Sequence, residues 1–459
     1  MTRRATRLSL APIAAACPDA ITVAQHIVAA GGEAYFVGGS VRDVLLGRVP
    51  GDVDIATNLV PERVAALFPF SVPTGIVHGT ITVWMKPGGV GTGIEVTTYR
   101  SDGNYSDGRH PDGVHFEQDI RADLSRRDFT VNAMAADLRG ELIDPYEGQN
   151  DLEARSLRAV GDPVARFAED GLRTMRAVRF AAQLGFDIEP NTFAAIPGAL
   201  KIVRKVAIER LRDELLKMLD ASKPSVGLEL MRTSGLMAVV LPELLEGVEM
   251  VQNSFHTYTV YEHTLACVDA GRDRTARLAA LFHDIAKPRT AAAKAGHPGE
   301  HTFFRHDFVG AELTDQVLRR MRFSNEEREK IAHLVQNHMF YYDPSWSDGA
   351  VRRFVGRVGE SNLANLFNLR EADIVGRGRG EDPRDEIVPL QERIDVVLAR
   401  GRALHVTDLA IDGKDVMATL GIPASRRVRD ILEAMLEAVL EDPALNERER
   451  LLAWLKNLP

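Results

Sequence analysis

Short apolar runs punctuated by glycine and aspartate alternate with helical spacing over roughly the first 150 residues. From about residue 225 the apolar positions follow helical spacing throughout. Tyr35-Phe36-Val37 reads as a strand stopped by Gly38-Gly39-Ser40, after which VRDVLL takes up helical spacing. GDVDIATN (51–58) and GIEVTTYR (93–100) read as further strands. Between Arg100 and Ile120 lies SDGNYSDGRHPDGVHFEQD, polar and without period, which reads as a loop gating whatever site the strands build. LSRRDFTVNAMA (124–135) returns to helical spacing. Asp162-Pro163 and Leu184-Gly185 then bracket one helix carrying Phe167, Leu172, Met175, Val178 and Phe180. The pattern predicts five segments: an N-terminal extension (1–24), a mixed α+β head (25–150), a helical neck (151–224), a helical body (225–376) and a helical tail (377–459), with RGRGEDPRDE (377–386) as the polar break before the tail.

Length changes this picture little: 459 residues exceed one core. Charge changes it more. The net charge of −9 does not suggest a nucleic-acid binder, although KIVRKVAIERLRDELLK (201–217) carries six basic residues against three acidic ones, and VLRRMRF (317–323) is also basic. Each stretch reads either as a phosphate-binding stripe or as a solvated helix face. Two cysteines, Cys17 and Cys267, argue against a disulfide framework and fit a reducing cytoplasm. No apolar run reaches membrane-spanning length, so no membrane partner is expected. The opening MTRRATRLSLAPIAAAC imitates a signal peptide, but its apolar part is short and holds Pro12; it reads as a ragged terminus.

The chemistry begins at Asp52 and Asp54. At i and i+2 of a strand they share a face, with Val53 and Ile55 turned into a core. Two carboxylates so close repel unless a cation neutralises them, and hard oxygen ligands suit Mg²⁺. The plainer alternative is a solvated Gly-Asp turn. Gly38 and Gly39, at a strand-to-helix turn, let backbone N–H groups approach phosphate, and Arg42 adds a charge. Glu95 is either the third carboxylate of a two-metal centre or an edge-strand glutamate facing water. Arg126, Arg127, Asp128 and Asn132 crowd polar groups among Phe129, Val131 and Met134, with Asp128 and Asn132 one helical turn apart.

GGSVRD, then DVD, then RRDFTVNAMA, in that order, resemble the class II tRNA nucleotidyltransferase and bacterial poly(A) polymerase family of the DNA polymerase β-like superfamily. The resemblance runs from about Gly31 through nearly the whole chain. It implies an α+β multidomain protein: a nucleotidyltransferase head with a small mixed sheet, followed by an all-α neck, an HD-type body and a tail. It implies that Asp52 and Asp54 hold catalytic Mg²⁺, and that Arg127, Asp128 and Asn132 belong to the nucleotide site. EDGLR (169–173) resembles the family motif in which Asp170 and Arg173 read the incoming base; without the resemblance they read as a surface ion pair worth under about 1 kcal/mol. The chemistry is consistent. An Asp acceptor beside an Arg donor matches the amine and ring nitrogen of cytosine and adenine, whereas uracil and guanine place a carbonyl opposite the Asp. Arg176 and Arg179 extend this stripe toward phosphate, and Glu209 and Arg210 are expected to orient it.

In the second half, His263, His283-Asp284 and Asp373 lie on apolar helices. A single such histidine is usually a core residue, but the set offers imidazole and carboxylate ligands to a transition metal. Its order resembles the HD phosphohydrolases. His306 and His338 fall where two-metal members place further histidines, with His333 competing for the last position. This implies a divalent transition metal (Ni, Mn, Co or Zn) and phosphodiesterase or phosphatase action, for example on 2′,3′-cyclic phosphate ends. The leading expectation is template-independent addition of CCA to tRNA from CTP and ATP, with pyrophosphate released and no obligate protein partner. Alternatives are a partial enzyme adding CC or A, a poly(A) polymerase, or chiefly an HD hydrolase whose head binds RNA. By the same resemblance, CC-only enzymes lack much of the loop after Arg100, which argues against CC-only addition. The complete histidine–aspartate set, and a tail that is not strongly basic, argue against poly(A) polymerase.

Overall fold

The computed structural model describes residues 7–75, 79–89, 91–102, 114–252, 257–294, 296 and 301–457. They form two compact units that divide between Pro242 and Glu243.

The first unit is built on a mixed sheet. Its strands are β1 (Ala34–Val37), β2 (Asp54–Thr57), β3 (Ser71–Gly75), β4 (Thr80–Val83) and β5 (Ile94–Thr98). A separate pair follows, β6 (Arg100–Asp102) with β7 (Val114–Phe116), and then β8 (Ala135–Ala136) and β9 (Leu142–Ile143) rejoin the sheet. The strand order is β3-β4-β5-β2-β1-β8-β9, with β2 and β5 parallel and the other pairs antiparallel. Phe36, Ile55, Ile81, Ile94 and Val96 are fully buried, each stabilising the fold by about 1.5–3 kcal/mol. That burial fixes the register: a slip of one residue would expose Ile55 and bury Asp54. The helix Pro18–Ala29 packs on β1 and β2 through Ala20, Val23, Ala24 and Ile27.

Several expectations need correction. Within the N-terminal extension, Ala11–Ala16 and Pro18–Ala29 are helices, and Ile13 and Cys17 are buried. Pro12 and Pro18 stand in first helical turns, where a missing N–H costs nothing, so neither breaks its helix. Of the expected loop, residues 103–113 lie outside the described residues; its flanks pair as β6 and β7. In LSRRDFTVNAMA the helix Ile120–Ser125 ends early, and Thr130–Asn132 make only a single tight turn. Every residue from Asp128 to Ala136 is buried, which leaves no polar face for an amphipathic helix. The expected helix between Asp162 and Gly185 is two, Pro163–Glu169 and Leu172–Leu184. The break is at Asp170, which is extended, and Gly171, where a Cβ would lie 2.7 Å from the Val203 nitrogen. The basic stretch 201–217 spans the ends of the helices Pro190–Val203 and Ile208–Leu219, with Lys201, Arg204, Lys205 and Lys217 exposed.

The second unit is helical except for an antiparallel pair, Ala291–Ala293 with His301–Phe303, where helix throughout was expected. The pair precedes the helix His306–Arg320, whose last turn carries the basic VLRRMRF stretch; there Arg320 is taken up by Glu243. The tail forms a small core around Val416, Met435, Val439, Leu451 and Leu455. It is tied to the rest of the unit by Arg352, whose buried guanidinium donates to the carbonyls of Leu440 (2.6 Å) and Val397 (3.2 Å). No helix among the described residues is long and apolar enough to cross a membrane.

Candidate active sites

The antiparallel pairing of β1 with β2 sets Val37 opposite Asp54. The Gly38-Gly39 turn therefore leaves the sheet beside the carboxylate. Gly38 has φ +68°, a conformation that favours glycine, and a Cβ there would lie 2.8 Å from Arg127 Nη1, so the guanidinium would have to shift. Parallel pairing of β2 with β5 sets Glu95 opposite Asp54 on the same face, with Glu95 exposed. Asp52 precedes β2 and is exposed. Burial pushes the Asp54 carboxyl up to about 6; Arg127 opposes this, and Glu95 and Asp52 add to it. A divalent cation would relieve this crowding of acids, so the residues fit one.

A cavity of about 870 Å³ opens from this point. Gly38, Gly39, Arg42, Asp52, Asp54, Arg127, Asp128, Asn132, Asp170, Arg173, Arg176 and Arg179 all line it. The structure thus brings together the motif residues expected from sequence, with Glu95 alongside on β5. Their partners are specific. Arg42 Nη1 donates to Asn132 Oδ1 (2.7 Å), and Asn132 Nδ2 donates to Asp128 Oδ1 (3.2 Å). So the expected Asp128–Asn132 contact forms without the expected helix. Arg176 Nε donates to Asp128 Oδ2 (2.7 Å); burial works against the charge, but Arg176 and Asn132 hold Asp128 down to about 2. Arg179 pairs with buried Glu214 and lies 3.7 Å over the Phe180 ring. Arg176 and Arg179 thus meet carboxylates of the chain itself.

Asp170 is held at both oxygens. Oδ1 accepts the Leu172 N–H (2.9 Å), and Oδ2 accepts Arg210 Nη2 (2.8 Å). Arg173 pairs with Glu169 and donates to the Arg126 carbonyl (2.9 Å). The helix break at Asp170-Gly171 presents both side chains to one cavity. Arg210 was expected as an orienter; Glu209 is exposed. Sequence reasoning missed Asp123, a buried carboxylate that accepts from Arg126 Nη2 (2.6 Å) and Arg127 Nη2 (3.1 Å). Against burial, these arginines hold its carboxyl below the usual range. Its position three and four residues before them was the available signal. Glu214 was missed likewise.

In the second unit, five segments converge. His263 comes from the helix Val260–Ala270, and His283 and Asp284 from the end of Arg274–Phe282. His306 opens its helix, His338 closes Asn325–Asn337, and Asp373 comes from Leu363–Gly376. The Nε2 atoms of His263 and His283 lie 3.1 Å apart, and those of His306 and His338 lie 3.3 Å apart. Asp284 spans the two pairs: Oδ2 is 3.4 Å from His263 Nε2, and Oδ1 is 3.4 Å from His306 Nε2. Asp373 Oδ1 is 3.3 Å from His263 Nε2. Each histidine turns Nδ1 to a backbone carbonyl: Gly376 (2.9 Å), Ala280 (2.7 Å), Phe303 (2.8 Å) and Val335 (2.6 Å) for His263, His283, His306 and His338. A carbonyl only accepts, so Nδ1 carries the proton and the Nε2 lone pair faces inward, the arrangement of a metal-ligating imidazole. Burial, then His283 and His306, pushes His338 down to about 3; against burial, Cys267 and Asp373 push His263 well up and Asp284 pushes His306 up, so a bound cation would displace protons there. Two donor groups result, His263, Cys267, His283 and Asp373 on one side and Asp284, His306 and His338 on the other, and either would suit a divalent transition metal.

His333 is excluded from the cluster, its Nε2 donating to the Val358 carbonyl (2.7 Å). Sequence reasoning missed Lys287, whose Nζ lies 2.6 Å from both Asp284 Oδ2 and Gln252 Oε1. The adjoining cavity, about 480 Å³, presents Lys287, Lys294, Arg370, Arg377 and Arg379 against the carboxylates Asp284, Asp373 and Glu381.

Comparison with known proteins agrees with this layout. The chain is 33% identical over 441 residues to the CCA-adding enzyme of Geobacillus thermodenitrificans, covering 95% of this chain and 96% of that one. The chain belongs to the CCA-adding enzymes. Family profiles match segment by segment: "Poly A polymerase head domain" at residues 34–158, "Probable RNA and SrmB- binding site of polymerase A" at 185–247, and "HD domain" at 254–391. The CCA-adding enzyme of Levilactobacillus brevis is 51% identical over 214 residues, 47% of this chain and 53% of that one. Among solved structures, the Bacillus stearothermophilus CCA-adding enzyme in complex with CTP superposes with a TM-score of 0.72 at 30% identity, covering 97% of each chain. The Thermotoga maritima CCA-adding enzyme complexed with tRNA shares the fold at 19% identity, with a TM-score of 0.56 and 98% of each chain covered. The head-and-HD architecture of the family is therefore the architecture here.

Proposed function

We infer that this chain adds C, C and A to the 3′ end of tRNA from CTP and ATP without a template, releasing pyrophosphate. The observation that carries the reading is one cavity in which the Gly38 turn, Asp54 and the Asp170/Arg173 pair meet. Asp52 and Asp54, with Glu95 beside them, would hold Mg²⁺, which when bound activates the RNA 3′-hydroxyl and the departing pyrophosphate. The Gly38-Gly39 turn, Arg42 and Arg127 bind the triphosphate, and Asn132 and Asp128 fix Arg42 and Arg176 around it. Asp170 accepts from the exocyclic amine of cytosine or adenine, and Arg173 donates to the ring acceptor. The site of action is the cytoplasm. The test uses purified protein, Mg²⁺ and tRNA transcripts ending at the discriminator base, at C and at CC. Stepwise addition of C, C and one A, with GTP and UTP refused, supports the reading. Growth to CC alone, addition of A alone, or a long A ladder would replace it with a partial enzyme or a poly(A) polymerase.

A second activity is proposed for the histidine–aspartate cluster: hydrolysis of phosphate esters, including 2′,3′-cyclic phosphates, with Ni, Mn, Co or Zn. Four Nε2 atoms gathered around Asp284, whose two oxygens each lie 3.4 Å from one of them, favour it. His283→Ala with Asp284→Ala should lose bound transition metal by elemental analysis, lose hydrolysis and retain CCA addition. Loss of addition in that variant would refute two independent sites.

A further inference from the structure

Arg166 stands outside the motifs that carry the head site, and it does not line the head cavity. It lies in the helix Pro163–Glu169, one turn before Asp170, with its side chain 14% exposed. Its guanidinium joins three points. Nε donates to the Val160 carbonyl (3.1 Å), Nη2 to the Ser125 carbonyl (2.8 Å) and Nη1 to Glu169 Oε2 (2.9 Å). Both carbonyls belong to the wall that carries the phosphate-side residues. Ser125 ends the helix that leads into Arg126 and Arg127, and the Val160 N–H donates to the Asp128 carbonyl (3.1 Å). Glu169 Oε2 is also the partner of Arg173 Nη1, which donates in addition to the carbonyl of Arg166 itself (2.9 Å). Arg173 Nη2 reaches the Arg126 carbonyl (2.9 Å). One carboxylate oxygen shared by two guanidiniums, with the outer guanidinium locked to two carbonyls by its planar fork, has a single position.

We propose that Arg166 is a positioning residue for base selection: it pins Glu169 to the backbone beside Arg126 and so fixes the Arg173 guanidinium where an incoming base meets it. The proposal rests on the nucleotide-adding reading of the head and adds to it a residue that touches neither nucleotide nor metal. The phosphate side is held separately, because Arg126 and Arg127 are both tied to the buried Asp123. Loosening Arg166 therefore blurs the choice of base without releasing the triphosphate. Selection suffers first because a base is refused only while the donor it meets is unable to turn away from it.

The test uses the full chain with Mg²⁺ and two variants. Arg166→Met keeps the aliphatic stem and removes every donor. Arg166→Lys keeps a charge for Glu169 but cannot span both carbonyls, and it decides the matter if Arg166→Met does not fold. Selectivity is the ratio of kcat/KM for CTP to that for UTP on a transcript ending at the discriminator base, and for ATP to that for GTP on one ending at CC. The inhibition constant of inorganic tripolyphosphate reads the phosphate side alone. For Arg166→Met both ratios should fall about tenfold, through loss of CTP and ATP addition, with the tripolyphosphate constant unchanged; Arg166→Lys should recover part of the selectivity. Unchanged ratios overturn the proposal. So does an equal fall for all four nucleotides accompanied by weaker tripolyphosphate inhibition, which is what a merely structural residue would give. If the wild-type chain stops at CC or builds an A ladder, the CCA reading fails, and a fall in whichever ratio it still shows leaves Arg166 in this role. A wild-type chain that adds no nucleotide removes both.

Discussion

Replacing Asp170 by Asn tests the base-reading geometry at its centre. The substitution keeps size and shape but turns one of two acceptors into a donor. In the structure Oδ1 accepts a backbone N–H at 2.9 Å and Oδ2 accepts Arg210 at 2.8 Å, so the amide has no orientation in which both neighbours remain satisfied. With its oxygen toward Leu172, the new NH₂ opposes Arg210 and the amine of cytosine or adenine. Leaving such a donor without an acceptor costs about 1–3 kcal/mol, which is roughly a 5- to 150-fold loss in kcat/KM for CTP and ATP. The same NH₂ can donate to the uracil or guanine carbonyl, so discrimination should narrow from both sides. The assay is single-turnover addition of each of the four nucleotides to transcripts ending at the discriminator base and at CC. The Asp170–Arg210 pair is partly solvated, with Arg210 33% exposed, so its loss should cost the fold less than about 1 kcal/mol. An equal drop for all four nucleotides, with selectivity unchanged, would refute the assignment and leave Asp170 a merely structural residue.

Asp123→Asn removes the charge that Arg126 and Arg127 share; we expect a loss of about 2–3 kcal/mol, seen as a fall in Tm of roughly 4–12 °C, together with weaker binding of both CTP and ATP. An unchanged Tm would show that the buried carboxylate holds nothing. Gly38→Ala adds a Cβ 2.8 Å from Arg127 Nη1 at φ +68°; KM should rise alike for both nucleotides with about 1–2 kcal/mol of stability lost, and unaltered KM would remove the turn from the phosphate site. Because Asp54 is pushed up to about 6, Mg²⁺ must displace a proton below that pH. Mg²⁺ affinity in the head, measured by titration of the nucleotide-bound protein, should be flat above pH 7 and fall toward tenfold per unit below pH 6; a flat profile down to pH 5 would contradict the burial of that carboxyl.

Motifs whose residues lie close in sequence were legible, and contacts closed by tertiary packing were not. Asp52 and Asp54 could be read because a strand's two-residue period places them together before any fold is known. Gly38 could be read as a turn, but not as the space occupied by Arg127, which arrives from 89 positions further along the chain. The helix through Asp170 was misread because apolar spacing continues across residues 167–180 while the break depends on Val203, a residue of another helix. The Asp128–Asn132 contact was correctly expected from a spacing whose helix does not exist; a tight turn brings the same two side chains together. Asp284 as a bridge between two histidine pairs, and the choice of His338 over His333, needed the ends of separate helices to meet.

The net charge of −9 looked like an argument against an RNA-processing role, and its failure is instructive. Charge acts through the local field in a cleft, where low-dielectric walls focus it, and not through the sum over the chain. The head cavity is lined by eight arginines (42, 100, 126, 127, 173, 176, 179 and 210) against five aspartates (43, 52, 54, 128 and 170), an excess of three positive charges before any metal ion binds. The cavity of the second unit has an excess of two. Several of these arginines are committed to carboxylates of the chain: Arg126 and Arg127 to Asp123, Arg176 to Asp128, and Arg179 to Glu214. Such pairing lowers their net attraction for a phosphate but fixes guanidinium positions that would otherwise be ordered only when substrate binds. An enzyme that must tell cytosine and adenine from uracil and guanine gains more from fixed donors than from strong ones, because selection depends on a wrong base finding no group able to turn toward it.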